Sequence, residues 1–121
     1  MQTILIVDNV TTQRELLVHW LQEDYSVFTA ADGAAGIALT ERIDPDLIFM
    51  TLALPGVDGV EATRQMKAQA RRRDIPIIAL VAQTLAGEDA TARAAGCADA
   101  LCIPLEAARV AATLQKWLGG G

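Results

Sequence analysis

Apolar residues along the chain alternate between two periods. Short blocks at residues 3–7, 25–30, 47–52, 75–81 and 98–103 are rich in Ile, Leu, Val and other strand formers. The blocks at 47–52 and 75–81 are apolar at nearly every position, the pattern of strands covered on both faces in a parallel sheet. Between the blocks the spacing changes to three and four, which predicts helices. Leu16, Leu17, Trp20 and Leu21 mark the first, beginning at Thr11 or Thr12. Ile37, Ala38 and Leu39 mark a second over 34–43, and Val60, Thr63, Met66 and Lys67 a third over 60–69. A short alanine-rich helix is expected over 88–95, and a last one over 106–118 with Val110, Ala111, Leu114 and Leu118 on one stripe.

Punctuation residues support these boundaries. Thr11 or Thr12 can cap the first helix, with Glu15 three residues after Thr12 completing a capping box. Asp32-Gly33 turns the chain into the second helix, and Asp44 before Pro45 ends it, because a residue preceding proline is pushed out of the helical region. Asp58 is a good N-cap for the third, and Gly96 closes the fourth. Five β-α units in series imply right-handed crossovers onto one sheet. The fold class expected is α/β: a five-stranded parallel sheet with helices on both faces, flavodoxin-like (βα)5, in strand order 2-1-3-4-5. Residues 1–118 form one domain, Met1 favours an N-terminal position, and 119–121 read as a frayed tail or the start of a linker. Function in such sheets gathers at the carboxyl ends of the strands. That draws attention to Asp8 and Asn9 after the first strand and to Thr51 at the end of the third.

Composition narrows the classes. A net charge of -5 gives no general field for nucleic acid or anionic membrane, and Arg71-Arg72-Arg73 is too short a run to change that. No apolar run approaches the ~20 residues of a membrane span, so a cytoplasmic protein is expected. No Gly-rich dinucleotide fingerprint or P-loop follows the first strand. The two cysteines, Cys97 and Cys102, are separated by an extended segment of about 16 Å, against roughly 4.4–6.8 Å between the Cα atoms of a disulfide. Both are therefore expected to be reduced packing residues. With His19 as the only histidine and no Cys/His cluster, neither a zinc site nor any other metal or cofactor is expected.

Taken together, several segments resemble the receiver domain of bacterial two-component response regulators. They are Ile4-Leu5-Ile6-Val7-Asp8, Ala31-Asp32-Gly33, Pro45-Asp46-Leu47-Ile48 leading to Leu54-Pro55-Gly56-Val57-Asp58-Gly59, Ile75-Pro76-Ile77-Ile78-Ala79-Leu80, and Ala95-Gly96-Cys97-Ala98 before Pro104. The resemblance covers the whole chain and implies a module that takes a phosphoryl group from a histidine kinase onto an aspartate ending the third strand. It also implies an acidic pair holding Mg²⁺, a hydroxyl residue ending the fourth strand, a lysine before the last proline, and an aromatic switch residue in the fifth strand. At these positions the chain has Thr51, Asp8 with Asn9, Val81, Ile103 and Ala100. Only Asp8 matches.

These departures share one chemical direction. A Thr hydroxyl cannot form the acyl phosphate of an aspartate and lacks a base to activate it. Mg²⁺ prefers carboxylate oxygens in near-octahedral geometry, and one carboxylate offers little. A buried lysine without its carboxylate would be an unpaired charge, so Ile103 suits a pocket holding Thr51. The expectation is a degenerate, phosphorylation-independent pseudo-receiver: not an enzyme, but an interaction or regulatory module. Its partner would be a histidine kinase, an output domain or another receiver, with a homodimer possible and no direct contact with nucleic acid or membrane. The family's signalling face points to Ala92, Ala95, Ala100, Cys102, Val110 and Leu114. The alternative is a receiver-like sensor of a nucleotide second messenger, using Arg71, Arg72, Arg73 and Arg93.

Overall fold

The five apolar blocks pair as parallel strands in the order β2-β1-β3-β4-β5, as expected from the β-α series. The computed structural model describes residues 1–52, 58–69, 74–82 and 93–119. The strands are β1 (Thr3–Val7), β2 (Ser26–Ala30), β3 (Leu47–Thr51), β4 (Ile77–Ala82) and β5 (Asp99–Ile103). The helices are α1 (Thr11–Leu21), α2 (Gly33–Ile43), α3 (Gly59–Ala68) and α4 (Ala107–Leu118). Most of the helix expected over 88–95 lies outside the described residues; 93–95 are helical.

Strand alternation splits the core in two. Leu5, Val7, Ile48, Met50, Ile77 and Ala79 face Ala62 and Met66 of α3, with Ile37, Leu39 and Ile43 of α2 packed beside them. Ile4, Ile6, Leu47, Phe49, Ile78 and Leu80 face Leu17 and Leu21 of α1 and Val110 and Leu114 of α4. β3 is buried at all five of its positions because it is central and covered on both sides. Leu16, expected on the buried stripe of α1, is instead 39% exposed, since Leu17 and Leu21 already fill the contact with the sheet. Cys102 is likewise exposed rather than packed, lying on the edge strand, while Cys97 is buried. Burial pushes the Cys97 thiol up, more than Thr63 and Lys67 lower it, which leaves it inert as a nucleophile.

Caps follow the sequence with one exception. Asp32 accepts from Ala35 N–H at 2.8 Å and Asp58 from Glu61 N–H at 2.8 Å, fixing the starts of α2 and α3. Asp44 ends α2 in the left-handed region with φ 44° before Pro45. The capping box at α1 does not form. The N-cap is Val10, with no side-chain cap, because Asp8 sets that helix start instead.

The entry of α3 presses directly on the end of β3. Gly59 N–H donates to Leu52 O at 2.8 Å. A Cβ at position 59 would stand 2.2 Å from Thr51 O and 2.5 Å from Leu52 Cα. At Gly36 the nearest atom would be a Val7 methyl at 2.8 Å, a side chain that can turn away. Gly59→Ala would gain about 1 kcal/mol of helix propensity, but the backbone clash outweighs it. We expect urea denaturation to show a net loss towards the upper end of the ~1–3 kcal/mol typical of overpacking. Gly36→Ala should lose less, and the reverse order would refute this account of the β3–α3 junction.

Candidate functional site

Parallel register brings the ends of β1 and β3 side by side. Val7 pairs with Met50, so the next residues, Asp8 and Thr51, stand next to each other at the carboxyl edge. Thr51 pairs in turn with Leu80, Val81 with Cys102, and Ala82 with Ile103. Alternation sets Thr51 on the face of Leu47 and Phe49, and Ile103 packs against that same cluster. Val81 belongs to the opposite cluster with Met50 and Leu52. The predicted positions therefore converge on one end of the sheet but divide between its faces. Asn9 is exposed, and Ala100 is half-buried against the cluster that holds Val81.

Asp8 is fully buried, and its carboxylate is engaged by neutral donors. Oδ1 accepts from Val10 N–H at 2.9 Å, the two-residue Asx pattern that starts a turn. Oδ2 accepts from the Gln13 side-chain amide. The main chain is fixed as well: Asp8 N–H donates to Ala30 O at 3.0 Å, and the Arg14 guanidinium donates to Asp8 O at 2.7 Å. Sequence reasoning missed Gln13 and Arg14. Their signal was their place in the first turn of α1, within reach of a strand-end carboxylate.

Thr51 is 7% exposed, and its Oγ1 is the one buried side-chain polar atom among the described residues with no hydrogen-bond partner. Among the described residues no group hydrogen-bonds this hydroxyl to draw off its proton, as activation of a nucleophile requires. A hard dication needs several oxygen ligands. Both oxygens of Asp8 are already bound to N–H groups, Asn9 faces solvent and Thr51 supplies a neutral oxygen. Among the described residues no three His, Cys, Asp or Glu side chains gather to hold a metal. The donor set of the described residues does not fit Mg²⁺. Beside it opens a groove of about 240 Å³ between α1 and the end of β5, lined by Val10, Gln13, Leu16, Ile103 and Pro104 among others.

The expected interaction face needs correction. Ala95, Val110 and Leu114 are 6%, 1% and 3% exposed. Val110 and Leu114 are the buried stripe of α4 against the sheet, so no partner reaches them while the helix is docked. Cys102 does face outward, and Ala92 lies outside the described residues. Of the arginines considered for a ligand, Arg71, Arg72 and Arg73 lie outside the described residues, and Arg93 stands 4.0 Å from Asp99.

Comparison with known proteins gives a consistent picture. Residues 4–115 match the family described as "Response regulator receiver domain". Protein PilH of Pseudomonas aeruginosa is 30% identical over 99% of this chain and 100% of its own length. The receiver domain of sensor histidine kinase PA1611 from P. aeruginosa, whose structure holds a magnesium ion in its active-site cleft, is 36% identical. It superimposes with a TM-score of 0.91 over 98% of both chains. Chemotaxis protein CheY4 of Vibrio cholerae, 28% identical, gives 0.90 over 97% of this chain and 98% of its own.

Two substitutions separate the roles of the strand-end residues. Thr51→Val removes an unpaired buried hydroxyl without changing its shape, and should leave stability unchanged or raise it by about 1 kcal/mol. Asp8→Ala strands the Val10 N–H and the Gln13 amide and should cost ~1–3 kcal/mol. Urea denaturation of both variants checks this; a clear loss for Thr51→Val would mean that the hydroxyl has a partner after all.

Proposed function

The chain belongs to the response regulator receiver domain family, and we propose that it is a receiver without phosphoryl chemistry, a phosphorylation-independent interaction or regulatory module in two-component signalling. The observation that carries this reading is the state of the strand-end pair. Thr51 stands where the family places its aspartate, with an unpartnered hydroxyl, and Asp8 is bound by neutral donors. Phosphoryl transfer needs an anionic acceptor and cationic stabilisation of the transferred group. This end of the sheet offers Thr51, Val81 and Ile103 at the positions concerned.

The protein acts on this reading by contact with another protein: a histidine kinase, an output domain or another receiver. Val10 and Leu16, 46% and 39% exposed, flank the groove beside the site and offer apolar area to such a partner. The outward side of α4, where Ala108, Ala112 and Gln115 are exposed, is open to a second copy in a homodimer. The domain is not an enzyme and binds neither nucleic acid nor membrane directly. No helix among the described residues is long and apolar enough to cross a membrane.

Incubation with acetyl phosphate and Mg²⁺, followed by intact mass measurement, tests the proposal. The expected outcome is the unmodified mass at every time point, with no change in the spectrum on adding beryllofluoride. A phosphoryl adduct on any residue would overturn it.

A further inference from the structure

One side chain fastens the last turn of α4 to the edge of the sheet. Asp99 opens β5, which pairs on one side only, with β4. Its Oδ2 accepts from the Trp117 indole N–H at 3.1 Å and from the Lys116 ammonium at 3.4 Å. Its Oδ1 accepts from Ala100 N–H at 2.9 Å and lies 4.0 Å from the Arg93 guanidinium. The Lys116 ammonium also sits 5.2 Å from the centre of the Trp117 ring. One carboxylate thus gathers groups from the segment before β5, from β5 itself and from the end of α4.

The rest of α4 is anchored differently. Val110, Thr113 and Leu114 are buried upstream, whereas Trp117 and Leu118 are half-buried and the helix ends at Gly119 with φ 74°. A half-buried indole keeps its polar edge satisfied or moves towards water. The last turn therefore combines partial apolar anchorage, with Trp117 and Leu118 at the edge of the core, and charge-assisted hydrogen bonding to Asp99, the profile of a segment that opens locally.

We propose that Asp99 is a conformational latch: its carboxylate, clasped by Trp117 and Lys116, keeps the last turn of α4 on the sheet, and losing the clasp frees that turn while the sheet stays folded. The electrostatics agree. Burial alone would raise the Asp99 carboxyl, but the Trp117 and Ala100 N–H groups and Lys116 outweigh it and hold it below the usual range. Among the described residues, Arg93 and Lys116 are the charged groups facing it; the neighbouring strand presents Ile78. A depressed carboxyl contributes stability that is complete above its unfolded value near ~3.9 and is lost as pH falls through the lower folded value.

Amide hydrogen exchange on the full chain tests the latch. In Asp99→Ala, exchange at residues 115–119 should speed up about tenfold, with the amides of β1 and β3 unchanged. Trp117→Phe keeps the ring and loses the donor, and should loosen the same turn. Acidifying the native protein through the depressed Asp99 value, beneath the usual carboxyl range, should open the turn as well, and Asp99→Asn should no longer respond to that change. An unaltered last turn in Asp99→Ala or Trp117→Phe overturns the latch. So does equal acceleration throughout the sheet, or an Asp99→Asn turn as acid-sensitive as the native one.

Discussion

A carboxylate with no solvent around it must have its oxygens satisfied, and everything at the carboxyl end of this sheet follows from how Asp8 meets that demand. Two donors, the Val10 N–H and the Gln13 amide, come from the first turn of α1 and its cap. Neither carries charge. The arrangement ties α1 to β1. The carboxylate that ends β1 thereby initiates α1.

The neighbouring strand is constrained from the opposite side. α3 begins so close to Thr51 and Leu52 that only a hydrogen fits at position 59, and Gly59 N–H ties the junction to Leu52 O. The end of β3 is therefore rigid backbone whatever side chain it carries. The receiver scaffold rests here on backbone packing, which is independent of the side chains that the family uses for its chemistry.

Much of this was legible in the sequence, for identifiable reasons. Apolar runs flanked by Pro45, Gly96 and Pro104 gave the strands their limits, and Asp32 and Asp58 announced helix starts that the hydrogen bonds realise. The sheet order came from the β-α series, whose five-stranded flavodoxin-like form has the order 2-1-3-4-5. What periodicity could not reveal was direction. Val110 and Leu114 were set on one stripe of the last helix, but the same stripe cannot both pack on the sheet and greet a partner; packing prevails. Nor did residue type show that Asp8 would override Thr12 as the organiser of α1, since that depends on where a strand-end carboxylate points in space. Asp99 and Trp117, eighteen residues apart, meet only because α4 returns across β5.

Magnitudes explain why a neutral hydroxyl is tolerated beside Asp8. Adjacent strands place neighbouring residues about 5 Å apart. At an effective dielectric of ~20, two carboxylates at that spacing would repel by roughly 3 kcal/mol unless a cation lay between them. An unpaired buried hydroxyl costs ~1–3 kcal/mol, the smaller burden. Ile103, packed against the cluster on the same face as Thr51, adds no charge there. Once Thr51 stands at the end of β3, neutrality across Thr51, Val81 and Ile103 is the arrangement of lower energy.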